Sequence, residues 1–460
     1  MTHRKHDPGP SRRDLLRGAA LGGLGLLGIP RLSRALGAEP TPGSGDEFFI
    51  FIHAAGGWDV TLWSDPRNER AGLVEPATTA TVDAGAMRLW KDASTSGERS
   101  FEIVQPSGCK IPFGPGIGHL VDHFDRLLVV NGLAMNTVSH PDGIAFSATG
   151  RHLQGSRAPQ PSLNTVIANE YGLSQTFPSI SVQFPSSYVG EQLDRRAAPL
   201  SIERIGNLAT TLRRSAAYET AADREAISVV LSEEAAELAA RAHAPGVLEG
   251  FALQLSSLGR MVRGGLEELF SDAKLRQLQP QLNYRSRYHG PQAVNAAFAI
   301  EACKRNLVRC ISFSLGGLDT HGASYRSHGA VQQDLFDLVA ELLRALDRAP
   351  HPTRTGHKLS EHTHVLVLSE FCRTPQLNLA GGRDHYPNNS ALVISPRFPG
   401  NRVFGRTDPE QLLPAATLQR GGAARPIEPP DLLATFLGAF GVAPRKYLRD
   451  GEVVQELLRS

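Results

Sequence analysis

The residues best suited to chemistry lie in four short polar segments, each of which follows an apolar run typical of a buried strand. The segments supply carboxylates, imidazoles and hydroxyls: Asp59; Thr137, Ser139 and His140; Asp319 and His321; Glu370, Asp384 and His385. Carboxylates and imidazoles without thiolates suit zinc, manganese or iron, whereas carboxylates alone suit calcium or magnesium. The residue types therefore predict a metal centre, provided that the fold brings the segments together.

Spacing within two of the segments restricts how their residues can bind an ion. Asp319 and His321 are two positions apart, so in an extended segment both side chains point the same way and can reach one ion. Asp384 and His385 are adjacent and would point apart. That pair would serve two ions, or it would supply one ligand and one residue that supports a ligand.

Each of these side chains also has a purely structural interpretation. Asp59 can close the turn after a glycine pair, Asp319 can cap the helix that follows it, and His140 can bond to backbone at a helix start. Asp384 can pair with a neighbouring arginine. For His53, which lies within a predicted strand, the structural role is the preferred interpretation.

Apolar runs that alternate with helical patterns place the four segments on one sheet. Strands are predicted at Phe48–Ile52, Leu127–Val130, Cys310–Leu315, His364–Leu368 and Ala391–Ser395, and helices after Pro141 and at Pro291–Val308, Val331–Ala349 and Glu428–Phe440. This alternation predicts an α/β fold with a mostly parallel sheet. Ligands of such sheets bind beyond the carboxyl ends of the strands, so the polar segments are expected to share one cleft.

Composition excludes several classes of protein. The 460 residues are 41% hydrophobic and 20% charged, with a net charge of +2, which is typical of a soluble globular protein and predicts no nucleic-acid partner. The four cysteines form no CxxC pair, so neither a zinc knuckle nor a disulfide framework is indicated. The chain also lacks a G-x-S-x-G elbow, a Walker loop and a G-x-G-x-x-G motif after a strand.

The amino terminus has the pattern of an export signal. A twin-arginine segment, SRRDLLR at Ser11 to Arg17, precedes an apolar stretch from Ala19 to Ile29 that is too short to span a bilayer. Small residues at 35–38 suit a signal peptidase. We therefore expect a Tat signal peptide at 1–38 and a single domain at 39–460, with a mostly helical insertion at about 201–281 and no transmembrane anchor.

Taken together, the motifs resemble an exported bacterial family called domain of unknown function 1501. The resemblance covers nearly all of the chain after the leader and rests on these segments: Gly56-Gly57-Trp58-Asp59, Ser139-His140, Asp319-Thr320-His321, Ser369-Glu370-Phe371 with Arg373-Thr374-Pro375, and Gly382-Arg383-Asp384-His385. That family is grouped with the alkaline phosphatase and sulfatase superfamily. The resemblance therefore implies an alkaline phosphatase-like fold, with a mixed, mainly parallel sheet between helices.

The resemblance also implies a role for each site residue. It implies one or two divalent ions, of zinc, manganese or calcium, and these metal-binding residues: Asp59, Asp319, His321, Glu370, Asp384 and His385. Asp319 and His321 would bind one ion, which His385 completes, and Glu370 would bind the other. The implied catalytic residues are Ser139 or Thr137 as the nucleophile, together with His140. The implied substrate-binding residues are Arg373, which would hold an anion, Asn378 and Arg383.

The function implied by the resemblance is an exported metal-dependent hydrolase of sulfate or phosphate esters. Its substrate would be a small-molecule or polysaccharide ester, the Tat translocase would be its partner during export, and its location would be periplasmic or extracellular. The chain departs from the superfamily pattern, because Glu370 stands where aspartate is usual and Phe371 where a histidine is expected. The departures bear on the second metal site and on catalysis, and the alternative is a non-catalytic binding protein of the cell envelope that retains the fold.

Overall fold

The structure is a computed structural model that describes residues 46–67, 91–92, 99–100, 103–206, 220–241, 255, 259, 269, 271–282, 288–420 and 423–458. The chain divides into two compact units. One contains Asp46–Asn207 and Asp272–Ser460, and the other contains Met1–Gly45 and Leu208–Ser271. The predicted signal peptide at 1–38 lies outside the described residues.

An eight-stranded sheet forms the centre of the first unit. Its strands, in spatial order, are Arg402–Phe404, Leu127–Ala134, Asn388–Ile394, Thr363–Leu368, Phe48–Ala54, Val308–Leu315, Phe177–Val182 and Leu200–Ile202. Neighbouring strands run parallel except at Asn388–Ile394, which is antiparallel to both of its neighbours. The prediction of an α/β fold with a mixed, mainly parallel sheet is confirmed.

The central strand, Phe48–Ala54, is buried along its whole length. Phe49 and Phe51 belong to an apolar cluster that includes residues of the helices Leu163–Tyr171 and Pro429–Ala439. The alternate residues of the strand point to the opposite face and are also buried. Both faces of the sheet are therefore covered, which is the usual environment of parallel strands and explains why these strands are continuous apolar runs.

Helices and short elements connect the strands. The helices of the first unit are His140–Thr149, Leu163–Tyr171, Asp272–Leu278, Gly290–Lys304, Gly329–Arg348 and Pro429–Ala439, and its shorter helical segments are Val60–Leu62, Pro115–Arg126, Arg195–Ala197, Gln279–Leu282, Ser324–His328, Leu359–Glu361, Pro444–Lys446 and Gln455–Leu457. Three pairs of short strands complete it: Lys91–Asp92 with Arg99–Ser100, Cys372–Arg373 with His385–Tyr386, and Leu418–Arg420 with Ala423–Arg425. Proline lies in the first turn of three of the helices, where its fixed φ favours helix initiation.

The other unit contributes one long described helix, Ala221–Arg241. The sequence predicted a mostly helical insertion at about 201–281, but the start of that stretch belongs to the strand Leu200–Ile202, which pairs with Phe177–Val182. Most of the predicted insertion between 242 and 270 lies outside the described residues. No helix among the described residues has the length and hydropathy needed to cross a bilayer.

Candidate metal centre

The loops at the carboxyl ends of the strands approach one another closely at this edge of the sheet. Gly56 follows the central strand with φ +116°, and a Cβ atom built there would lie 2.2 Å from the backbone nitrogen of Asp319. A Cβ on Gly382 would likewise lie 2.1 Å from the backbone carbon of His321. Only glycine fits at these two contacts, which is why the glycine-containing motifs can bring Asp319 and His321 against neighbouring loops.

Three histidine rings converge on one carboxylate oxygen. The Nε2 atoms of His140, His321 and His385 lie 3.3, 3.2 and 3.4 Å from Oδ1 of Asp319. The ligand atoms of His140, Asp319 and His385 all lie within 4.8 Å of one another. These side chains come from three different strand ends, so the expected cleft forms around Asp319.

The other nitrogen of each ring is fixed by an acceptor. Nδ1 of His140 lies 2.8 Å from Oε1 of Glu370. Nδ1 of His321 lies 2.7 Å from Oδ1 of Asp384, and Nδ1 of His385 lies 2.8 Å from the backbone oxygen of Val138. Ionised carboxylates and carbonyls only accept hydrogen bonds, so each Nδ1 must donate. In the neutral rings, each Nε2 then carries a lone pair directed toward Asp319.

Lone pairs that face a carboxylate repel it unless a cation or protons lie between them. Nε2 of His140 is shielded from solvent and makes no hydrogen bond of acceptable geometry. The hydrogen bond to Glu370 raises the pKa of His140 despite partial burial. Partial burial acts to raise the pKa of Asp319, but Arg373 and the surrounding histidines lower it to about 2. The centre is therefore built to hold positive charge next to Asp319, and a metal ion ligated by imidazoles meets that requirement.

The family comparison supports the motif evidence. The model of the family described as Protein of unknown function (DUF1501) matches residues 47–452. The chain belongs to this family. The match includes every residue of the candidate metal centre, and a comparison with the curated proteins finds no match.

Glu370 of this DUF1501 protein lies behind His140 and does not face the shared oxygen. It is 1% exposed and accepts a hydrogen bond from Gly56 N at 2.8 Å. It also lies 3.0 Å from Ser369 Oγ and 3.1 Å from Nε2 of His53. Burial acts to raise the pKa of Glu370, but the hydrogen bonds from His140 and His53 hold it well below its usual range. Glu370 is thus an ionised carboxylate that orients a ring of the centre.

Asp59 lies in the interior, away from the three rings. Its Oδ1 accepts from the backbone and hydroxyl of Thr61 at 2.9 and 2.6 Å, and its Oδ2 pairs with Nε of Arg383 at 3.1 Å. Both charged residues are buried, and Arg383 also donates to the hydroxyl of Tyr325 at 2.8 Å. The contacts of Asp59 are those of a helix cap and a buried ion pair, so its structural interpretation accounts for them.

Arg373 also points into the protein. Its guanidinium is 0% exposed and donates to the backbone oxygens of Gly57, Leu318 and Arg383 at 2.9 to 3.1 Å, and to that of Gly56. One nitrogen lies 2.9 Å from Oδ1 of Asp319. Arg373 therefore joins the strand-end loops and fixes the central carboxylate.

The remaining predicted residues surround the exposed side of the centre. Asn378 donates to the backbone oxygen of His321 and to Oδ1 of Asp384, both at 3.1 Å. Ser139 is exposed and precedes the helix that begins at His140. The hydroxyl of Thr137 accepts from the backbone of Ser139 at 3.2 Å.

Two contributions to the centre were absent from the sequence interpretation. His53 supports Glu370 from a neighbouring strand, although its position within a strand indicated only a structural role. The second is the backbone oxygen of Val138, which holds His385 and has no signal in the sequence because any residue supplies it. The two histidines that contact Glu370, His53 and His140, also form no recognisable sequence motif with it, because His53 is 317 positions away along the chain.

Proposed function

We propose that this DUF1501 protein is an exported metal-dependent hydrolase of sulfate or phosphate esters with an alkaline phosphatase-like fold. The observation that carries the proposal is the convergence of three Nε2 atoms on Oδ1 of Asp319, while an acceptor holds each Nδ1. Fixed tautomers with ring nitrogens directed at a common point are the arrangement that metal-binding histidines require.

The donor set suits a transition metal. His140, His321 and His385 would supply nitrogen and Asp319 oxygen, which favours zinc or manganese over calcium, because calcium prefers oxygen ligands. Zinc–ligand bonds of about 2.0 Å give a tetrahedron with edges of about 3.3 Å. The separations of 3.2 to 3.4 Å between Oδ1 and the three nitrogens match three of the six edges. The ligand atoms of His140, Asp319 and His385 all lie within 4.8 Å of one another, and His321 would complete the tetrahedron after its ring moves toward the other two histidines.

A single ion is better supported than two. The resemblance assigns Glu370 and Asp59 to metal binding, but the oxygens of Glu370 already accept from Gly56 and from two histidines. Asp59 is paired with Arg383. Withdrawing Glu370 from its partners would leave buried polar groups without hydrogen bonds, at a cost of about 1–3 kcal/mol per group. Withdrawing Asp59 would leave the buried guanidinium of Arg383 without its counter-charge.

The chemistry of the site follows from its exposure. When bound, a divalent ion supplies Lewis acidity toward an ester oxygen. Asp319 and His321 are about half exposed, with side-chain values of 53% and 49%, so a substrate can approach from solvent. Ser139 is the nucleophile that we propose, because it is exposed beside His140, whereas Thr137 is only partly exposed and its hydroxyl accepts from the backbone of Ser139.

In this proposal, Arg373 and Arg383 stabilise the site from inside the protein and do not contact the substrate. Both side chains are at most 1% exposed. Arg373 would hold Asp319 in its ionised form, and Arg383 would hold the loop beneath it. The ester anion would therefore be held at the metal centre and not by an arginine clamp. The side-chain amide of Asn378 is engaged with His321, Asp384, Ala380 and Gly382, so it would position the loop of Asp384.

The leader sequence supports export. The twin-arginine segment at Ser11 to Arg17 would direct the folded protein through the Tat translocase to the periplasm or beyond. Export in the folded state would allow the metal to bind in the cytoplasm, before translocation. The substrate would then be a small-molecule or polysaccharide ester outside the cytoplasm.

Purified protein tests the hydrolase proposal. We expect the wild type to hydrolyse nitrophenyl phosphate or nitrophenyl sulfate in the presence of zinc or manganese, and we expect Ser139→Ala to lose this activity while it keeps the metal. His119→Ala is the matched control, because His119 is 43% exposed and lies outside the centre. Stoichiometric metal without turnover of either ester would favour the non-catalytic binding protein instead.

A further inference from the structure

A second group of metal-binding residue types lies at the other edge of the sheet. His357, Glu361 and His362 precede the strand Thr363–Leu368, and their ligand atoms lie within 4.8 Å of one another. We call these three residues the amino-edge cluster. The candidate metal centre lies beyond the carboxyl ends of the parallel strands, whereas this cluster lies at their amino ends, so the two groups share no residue.

A short helical turn forms the cluster. Leu359–Glu361 is a 3-10 turn in which the backbone nitrogen of His362 donates to the oxygen of Leu359 at 3.0 Å. The backbone oxygen of His362 then accepts from the nitrogen of Phe48 at 2.7 Å. The turn brings His357 and Glu361 to one side, and pairing with the central strand fixes His362 beside them.

The ligand atoms of the cluster are already close. Nδ1 of His357 lies 2.6 Å from Oε2 of Glu361 and 3.1 Å from Nε2 of His362. Two imidazole nitrogens and one carboxylate oxygen are the donor types of zinc sites that keep a position open for water. The side chains of His357 and Glu361 are 48% and 47% exposed, so an ion can enter from solvent.

His362 provides the independent observation that points to a ligand. It is 8% exposed, and its Nδ1 is shielded from solvent without a hydrogen-bond partner. That atom is directed at Oε2 of Glu47, 3.6 Å away, and Glu47 is itself bonded to His364 at 3.0 Å. A small closing movement would let Nδ1 donate to Glu47 and leave the Nε2 lone pair for an ion, the carboxylate–histidine–metal arrangement common in zinc sites.

A cavity lies beside the cluster. It has a volume of about 470 Å³ and is lined by residues that include Glu47, Glu361, His362, His364 and Arg397. Two of the three cluster residues therefore face an open space on one side. An ion bound there would keep a face accessible to water or to a small anion.

We propose that His357, Glu361 and His362 bind a zinc-class transition-metal ion at the amino edge of the sheet, with Glu47 supporting His362. The ion would join the turn Leu359–Glu361 to the start of the central strand through Glu47. Because only the folded chain brings Glu47 to His362, zinc should stabilise the protein by mass action.

The test is zinc stoichiometry of the full chain after chelator treatment and equilibrium dialysis. We expect His357→Gln and Glu361→Gln each to weaken zinc binding at this site at least about tenfold. Loss of a residue that only supports a ligand lowers metal affinity about 10–100-fold, and each of these variants removes one of the three ligands themselves. Both positions are half exposed, so these variants should fold, and circular dichroism checks that they do. His119→Gln serves as the matched exposed-histidine control.

Repeating the titration in a His321→Ala background separates this cluster from the candidate metal centre. With that centre impaired, we expect one zinc equivalent to remain, to raise the melting temperature, and to be lost when His357→Gln is added. An unchanged zinc content on adding His357→Gln to that background would overturn the proposal. Equal losses in the His119→Gln control would overturn it as well, since zinc would then bind histidines without selection.

Discussion

Replacing Glu370 with glutamine should weaken both the metal centre and the fold. The change keeps the shape of the side chain and removes its charge. Its amide oxygen can still accept from Gly56 and His140, while its amide nitrogen can donate to Ser369, whose hydroxyl is already 2.7 Å from the backbone oxygen of Ala54. His53 can accept after a change of tautomer. The hydrogen bonds are thus largely retained, but as neutral ones.

The magnitude follows from the number of charge-assisted hydrogen bonds. Hydrogen bonds to charged groups contribute about 1.5–3 kcal/mol and neutral ones about 0.5–1.5, so weakening several of them should lower the free energy of unfolding by about 2–4 kcal/mol. Because Glu370 orients a proposed ligand ring, zinc affinity should also fall about 10–100-fold. The pKa of Glu370 is lowered in the folded state, so its contribution to stability exists above its unfolded pKa and disappears as the pH falls through the folded value.

Urea denaturation and zinc competition with a chromogenic chelator measure the two effects. Glu191→Gln is the matched control, because it removes the same charge at an exposed position. We expect that control to match the wild type in both assays. Wild-type zinc affinity in Glu370→Gln, together with a wild-type unfolding midpoint, would refute the role assigned to this carboxylate.

Three further predictions address the buried ion pair, pH and export. Arg383→Met should lower the free energy of unfolding by about 3–5 kcal/mol in urea, because it leaves the buried carboxylate of Asp59 without its partner, and a wild-type midpoint would contradict this. The hydrogen bond that His140 donates to Glu370 raises the pKa of His140, so protons should compete with zinc from a higher pH than at an ordinary histidine. Zinc affinity should fall as the pH is lowered through that raised pKa, and a flat profile would speak against His140 as a ligand. Replacing Arg12 and Arg13 with lysine should retain the precursor in the cytoplasm, as measured by cell fractionation, whereas normal export would indicate another route.

The buried part of the sheet was predictable because its strands are long and apolar on both faces. The predicted strands at Phe48–Ile52 and Cys310–Leu315 correspond to Phe48–Ala54 and Val308–Leu315. The strands Phe177–Val182 and Leu200–Ile202 were not predicted. The first contains proline and serines, and the second has only three residues, so neither gives a clear periodic signal.

The location of the site was more predictable than the orientation of its side chains. Parallel strands bring their carboxyl ends to one edge, and His140, Asp319 and His385 meet there as expected. The family resemblance implied that Glu370 binds the metal and that His140 takes part in catalysis. In the structure, Glu370 contacts the Nδ1 atom of His140, on the side of the ring away from Asp319. That orientation depends on the backbone nitrogen of Gly56 and on a distant histidine, which no local pattern reveals.

Elemental analysis of three variants tests the proposed metal centre most directly. The parent protein would carry His357→Gln, which disables the amino-edge cluster and leaves the candidate metal centre with its wild-type residues. This parent and its His321→Ala, His385→Ala and control His119→Ala variants would be purified identically. His53 would be unsuitable as a control because it contacts Glu370. We predict about one zinc or manganese ion per chain in the wild-type centre and in the control, and a content well below stoichiometric in the two ligand variants, with the fold intact. Equal metal content in all four proteins, or none in the wild-type centre, would contradict the proposal that these histidines bind a metal.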